Sequence, residues 1–514
     1  MTLREKIGQK LVTGFPGTEM TDDFRRMVRE YKVANFILFK ENVTDRAQFK
    51  QLCADIDALV RKETGHGAFI TIDQEGGIVS RLPDDAANVP GAMAMAAMGN
   101  PHAAYDAGLL TGRALRALGA NFDLAPCVDV NSNAKDPVIG VRSYGDKPAA
   151  VSEYSVEMIH GLMDGGVLCS AKHFPGHGDT STDSHLTLPC VDKSYDELMQ
   201  CELLPFMAAI EAGVPAVMTT HILFPQLEAE KIPATMSRTI MTDILRGKLG
   251  FDGLVISDCM EMNAIKEFYG TVNGVVAAAK AGVDLIFISH STALCAEAVE
   301  RIEDGIANGS ISETEITESA ERIVRYKTQW LDEKQVDASF DFDKAEQITN
   351  ALIQKSVTEV QIPLEGRVQA GNNPICIGCP IYRTALIGNV INENDNIFGQ
   401  NMVSVLGGQA KCMSINPEAA EIAALVQEAQ GHTCAIVGTY NGHLRPGQLE
   451  LISALCKASV PVIAVAMRNP YDLADLPKSV YALEVYEYTK RSIYAAARVI
   501  AGEEQATAHL PVKL

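Results

Sequence analysis

Short runs rich in Val, Ile, Leu and Phe recur along the first 290 residues or so, separated by longer amphipathic segments. The runs are KLVTGF, NFILF, FITID, FDLAPCVDV, LCSAKHF, AVMTTHI, LVISD and DLIFIS, and they span Lys10 to Ser289. Apolar stretches of about four to eight residues fit buried strands, and the segments between them fit helices laid over a sheet. The alternation therefore predicts βα units and a parallel sheet. Eight such units suggest a TIM-type (β/α)8 barrel, although periodicity alone does not separate a closed barrel from an open doubly wound sheet.

After Asp304 the pattern turns helical, then polar and loop-like through Val336 to Lys344. Strand and helix signals resume at about Pro374, with TALIGNV, CAIVGTY and VPVIAVAM each trailed by helix-like sequence. This predicts a barrel domain over residues 1–335 and a smaller α/β sandwich domain, with its connecting segment, over 336–514. No internal repeat or low-complexity tract interrupts the plan.

A length of 514 residues supports the same division, because one hydrophobic core seldom organises so long a chain. Hydrophobic residues make up 47% and charged residues 21%, and no run approaches the roughly 18 apolar residues of a membrane helix. The start, MTLREKIGQKLVTGF, has no apolar core of a signal peptide and no small-residue cleavage site, so a cytoplasmic protein is expected. Twelve cysteines scattered through apolar segments suit reduced thiols packed as small hydrophobes. Cys376 and Cys379 in CIGC read the same way, since no second cysteine pair completes a tetrahedral zinc set. A formal net charge of −21 argues against nucleic acid or an anionic membrane as partner.

In a barrel the chemistry lies where strands end on the C-terminal face. Those positions are polar here: Asp73, Asp129, Lys172, His173, His221 and Asp258. The densest stretch is AKHFPGHGDTSTDSH, which holds Lys172, His173, His177, Asp179, Asp183 and His185 in sequence that reads as a loop. It admits three readings. A metal site is one, although Pro175 and Gly176 break the frame that would align His173 with His177. A solvated polar loop is the second. The third is acid/base chemistry, with Asp183 orienting His185 two residues on and raising its basicity.

Asp258 in LVISDCMEM is open to reading as a nucleophile, a metal ligand or a cap for the helix-like segment that follows, and spacing alone favours the cap. In TIDQEGGIVSR, Asp73 and Glu75 precede paired glycines that permit a tight turn with backbone near a ligand, and Arg81 follows. Arg142 in PVIGVRSYG follows the fourth strand, placed to bind an anion or hydroxyl or to pair with surface acids.

Taken together, EKIGQKLVTGFPG, FITIDQEGGIVSRLP, IGVRSYG, AKHFPGHGDTSTDSH, GFDGLVISDCMEMNAI and VIAVAMRNPYDL resemble glycoside hydrolase family 3, in its bacterial β-N-acetylglucosaminidase branch. The resemblance implies a retaining two-step hydrolysis with Asp258 as nucleophile and His185, held by Asp183, as acid/base, against the capping preference. It implies that Asp73, Arg81, Arg142, Lys172 and His173 bind the sugar, with no cofactor and no metal. The DSH ending separates this branch from relatives that cleave glucosides and xylosides. Cys259 and Met260 after the nucleophile depart from the common pattern and leave the fine shape of the pocket open.

The carbohydrate partner implied is a GlcNAc-containing glycoside or muropeptide from peptidoglycan. A phosphorylase is the alternative reaction, because a histidine acid/base repels incoming phosphate less than a carboxylate would. A β-glycosidase of other sugar specificity, or a non-enzymatic sugar-binding protein, completes the set.

Overall fold

Alternate residues of a strand face opposite ways, and this sorts the eight N-terminal runs into an inner and an outer layer. The computed structural model describes residues 1–86, 88–180, 188–334, 339–380 and 397–514. Strands β1 (Leu11–Thr13), β2 (Asn35–Leu38), β3 (Phe69–Ile72), β4 (Phe122–Asp123), β5 (Leu168–Phe174), β6 (Ala216–Thr219), β7 (Leu254–Cys259) and β8 (Leu285–Ile288) are parallel and close into a barrel in chain order. The doubly wound alternative is thereby excluded.

Val12, Ile37, Phe69, Phe122, Leu168, Ala216, Leu254 and Leu285 fill the barrel, and Ile323 and Trp330 join the same cluster. Their strand neighbours Ile70, Val217, Val255 and Ile286 point outward against the helices. Two faces made of branched apolar side chains explain why the runs read as nearly continuous hydrophobic sequence.

Six further strands form a second sheet in the order β11, β10, β12, β13, β14, β9. They are β9 (Thr358–Gln361), β10 (Ile375–Gly378), β11 (Gln409–Cys412), β12 (Ala435–Thr439), β13 (Val462–Ala466) and β14 (Tyr481–Glu484), with β9 antiparallel to β14 and the other neighbouring pairs parallel. Cys376 and Cys379 are fully buried in this sheet's core. The TALIGNV segment lies outside the described residues. No helix among the described residues is long and apolar enough to cross a membrane.

Three local readings change. FDLAPCVDV supplies only a two-residue strand, because Pro126 has no N–H to extend the ladder. The chain still follows β5, with the Ser170 N–H donating to the Ala125 carbonyl at 2.9 Å and the Val128 N–H to the Lys172 carbonyl at 2.8 Å. β5 matches the LCSAKHF run residue for residue, so of the overlapping stretch read as loop, residues 171–174 are strand and the turn comes only at Pro175. The helix Phe342–Ser356 begins inside the segment read as polar loop, where Asp341 accepts from the Lys344 N–H.

The second sheet's domain leans on the barrel loops that follow β3 and β4. The Val141 N–H donates to Asn469 Oδ1 at 3.1 Å, and Asn131 Nδ2 donates to the Tyr471 hydroxyl at 2.7 Å. Gly77 has φ +54°, and a Cβ there would lie 2.8 Å from Gly91 and 3.0 Å from Glu487 Oε2. The close approach allowed by the paired glycines is therefore first to the backbone of residues 89–91 and, at Gly77, also to Glu487 of the second domain.

Candidate active site

Strand parity decides which polar residues overhang the barrel mouth. Asp73 continues the inward series of Phe69 and Lys172 that of Leu168, each at an even spacing along its strand, while Asp258 follows a register shift after Ile256 and is placed by its closeness to His221, His173 and Lys172. All three therefore project over the C-terminal face.

Lys172 is almost fully buried, and its Nζ lies 2.8 Å from Asp73 Oδ1 and 2.5 Å from Glu75 Oε1. Arg142 grips Glu75 with two parallel hydrogen bonds, Nε to Oε2 at 2.9 Å and Nη2 to Oε1 at 2.7 Å. Burial opposes ionisation of Glu75, but Arg142 and Lys172 outweigh it and hold the carboxyl well below the usual range. Burial likewise disfavours the Lys172 charge, while Asp73 and Glu75 prevail and raise its pKa. The four groups form a balanced pair of charges of each sign.

Arg142 also links this cluster to His173, its Nη2 lying 3.3 Å from His173 Nε2. A guanidinium only donates, so His173 presents a lone pair at Nε2 and carries its proton on Nδ1. That proton points to Asp129 Oδ2 at 2.7 Å. Asp129 accepts also from the backbone N–H groups of His173 at 3.1 Å and His177 at 2.7 Å, and from the Cys127 thiol at 3.2 Å. Burial would raise its pKa, but His173 and His177 bring it down to about 2. Burial holds the His173 ring neutral, its pKa lowered despite Asp129.

Cys127, Asp129 and His173 place three donor atoms within 4.8 Å of one another. An ion there would displace the Nδ1 proton and the thiol proton that already satisfy Asp129. The hydrogen bonds therefore explain this cluster as a support for His173. His177 follows, with Asp136 and Asp129 raising its pKa against the effect of burial.

Asp258 stands across the mouth at the end of β7. Its Oδ1 accepts the Cys259 N–H at 2.7 Å, while the next helix, Asn263–Lys266, has Met262 at its cap position. The capping role favoured by spacing is thus not the one observed. Burial raises its pKa, but His221 first, then His173, the Cys259 N–H and Lys172, leave it lowered and the carboxylate ionised. His221 is held in place by Nε2 donation to the Cys259 carbonyl and contact of Nδ1 with Thr235 Oγ1, both at 2.9 Å.

Of the residues read from the sequence, Asp73, Lys172, Arg142 and His173 come together, and Asp258 lies near them. Arg81 is buried on the loop after β3, its N–H donating to Gln74 Oε1 at 2.8 Å. Asp183 and His185 lie outside the described residues. The flanks of their segment are anchored. On one side, Thr180 Oγ1 donates to Asp136 Oδ2 at 2.7 Å; on the other, the Val191 N–H donates to the Leu223 carbonyl at 2.9 Å.

Sequence reading named Glu75, the hub of the ionic cluster, as well as Asp129 and His221, but assigned none of them a place in the site. Asp129 and His221 were visible as polar strand ends, and Glu75 as the acid before the paired glycines. Their partners are distant in sequence, so nothing local ranked them. The site as found offers an ionised carboxylate facing a rim of cationic donors and carboxylate acceptors, with the His173 imidazole locked between Arg142 and Asp129. Such a rim suits a polyhydroxylated ligand.

Residues 2–326 match the glycosyl hydrolase family 3 N-terminal domain. The chain is 33% identical over 368 residues to beta-hexosaminidase A of Pseudoalteromonas piscicida, covering 64% of this chain and 61% of that protein. It is 34% identical over 299 residues to the beta-hexosaminidase of Thiobacillus denitrificans, covering 57% and 81% respectively. Its structure is similar to a glycoside hydrolase family 3 β-N-acetylglucosaminidase from Paenibacillus, with TM-score 0.93 and 36% identity, covering 100% of this chain and 99% of that one.

Proposed function

The chain belongs to glycosyl hydrolase family 3, and on that premise we propose that it is a retaining exo-β-N-acetylglucosaminidase that removes non-reducing terminal GlcNAc, with peptidoglycan fragments as its substrates. The observation that carries this reading is Asp258: an ionised carboxylate at the C-terminal end of β7, released from capping and close to the Asp73, Glu75, Arg142 and Lys172 cluster.

In the reaction so read, Asp258 attacks the anomeric carbon as the bond to the leaving oxygen breaks, and His185 gives that oxygen its proton. His185, oriented by Asp183, then takes a proton from water, which attacks the same carbon and frees Asp258. Lys172 and Asp73 supply a donor and an acceptor to sugar hydroxyls, and His173, whose Nε2 is engaged by Arg142, lines the same side of the sugar pocket. Arg81 and Arg142 complete the hold on the sugar. Buried free thiols such as Cys53, Cys169 and Cys295 fit a reducing cytoplasm, where imported wall fragments are met.

Brief exposure to a 5-fluoro-N-acetylglucosaminyl fluoride followed by peptide mass spectrometry tests the reading. One added sugar on the Asp258 peptide is expected, and none in Asp258→Ala, which also loses turnover. A label elsewhere, or full turnover by the variant, overturns it. Running the same hydrolysis in phosphate separates free GlcNAc from the sugar phosphate that a phosphorylase would release.

A further inference from the structure

In the closed ring of eight strands β1 lies opposite β5, so the half of the mouth facing Lys172 and His173 is built by β8, β1 and β2. At Gly14, just past β1, a Cβ would fall 2.3 Å from the Ser289 carbonyl oxygen and 3.0 Å from that of Ile37. With no side chain there, the ends of β8 and β2 close over β1. Phe39 and His290 meet across it as an offset stack, with ring centroids 4.9 Å apart and an interplanar angle of 23°.

Both residues are held through their backbones. Phe39 continues the inward parity of Ile37 and packs on the barrel's inner cluster, and its N–H donates to Asn42 Oδ1 at 2.8 Å. Asn42 in turn donates to the Phe15 and Gly17 carbonyls at 2.8 and 2.6 Å. The His290 N–H donates to Glu261 Oε2 at 2.6 Å, while the residue itself is exposed. Lys40 is turned away onto the Leu82 carbonyl at 2.8 Å. This side of the rim therefore offers a flat, backed ring where the other side offers charges.

The second domain closes on the loops after β3 and β4, through Glu487 at Gly77 and Asn469 at Val141. A glycoside whose terminal sugar sits among Asp73, Lys172 and His173 thus faces β8, β1 and β2 across the mouth, on the side away from these domain contacts. A pyranose presents C–H faces that lie well on such a ring. Resting on the glycosidase reading, we propose that His290, stacked on Phe39, is the platform for the sugar ring of the leaving group and sets the preference for a sugar aglycone.

The test compares kcat/KM for N,N′-diacetylchitobiose with that for methyl β-N-acetylglucosaminide, a ratio that reports the first chemical step alone. His290→Ala is expected to lower this ratio about threefold to tenfold, the scale of one aromatic contact, and His290→Phe to keep it within about twofold. An unchanged ratio in His290→Ala, or an equal loss in His290→Phe, overturns the platform while leaving the hydrolase reading in place. If the unaltered enzyme cleaves neither glycoside, the hydrolase reading falls and the platform with it.

Discussion

Replacing Glu75 by Gln isolates the ionic hub without changing side-chain size. The side chains of Glu75, Arg142 and Lys172 are 7%, 5% and 2% exposed, so water cannot stand in for the lost charge. The four-group cluster passes from neutral to one net positive charge, with Asp73 left as the anion for both cations. Removing one partner of a buried ion pair costs about 3–5 kcal/mol. The Gln carbonyl still accepts one hydrogen bond, so the lower end, about 3 kcal/mol, is expected. With an unfolding entropy of ~2.1 cal/mol/K per residue, this lowers Tm by about 3 °C for the 514-residue chain in calorimetry at pH 7.

Catalysis should suffer more than stability. Arg142 and Lys172 lose the group that aims them, and a misplacement of about 1 Å costs on the order of 100-fold in kcat/KM. The Lys172 pKa, raised by Asp73 and then Glu75, should also move down, shifting any basic limb that reports Lys172 to lower pH. A Tm within about 1 °C and a kcat/KM within about twofold of the unaltered enzyme would refute the hub, since neither magnitude could then be right.

Two further outcomes follow from the same geometry. Asp123 is fully buried, and burial, with Asp73 and Glu75 adding to it, raises its pKa well above the usual range despite the Gln74 N–H and Lys172. A folded pKa above the unfolded value of about 3.9 means that the stabilising contribution is present below that pH and fades as pH rises. The Tm advantage of Asp123→Asn over the parent should therefore grow between pH 4 and pH 7, and a difference independent of pH would count against it. For His185→Ala, kcat/KM should fall by about 100-fold or more with a disaccharide but far less with a dinitrophenyl glycoside, whose leaving oxygen needs no proton. Equal losses with both would remove His185 from the acid role.

Much of the barrel was legible because its signal is local. A strand buried on both faces writes itself as a run of branched apolar residues, and all eight runs from Lys10 to Ser289 became barrel strands. Strand ends were less uniform: β5 coincides with the run LCSAKHF, whereas Pro126 cut β4 short. The site was legible in its residue types more than in its partnerships. Asp258 resembled a helix cap from spacing, and only the true start of the next helix at Asn263 freed it from that role.

Composition and pattern were enough for the fold class, for a second α/β unit and for the polar C-terminal rim, since each depends on neighbours in the chain. Pairings between distant segments required the closed barrel, for Glu75 with Arg142 and Lys172, His173 with Asp129 and Phe39 with His290, or the docking of the second domain, for Gly77 with Glu487. Residues far apart in sequence carry no shared periodicity. Their hydrogen bonds, charges and proton positions arise only when the strands bring them within a few ångströms, where burial makes each pairing count.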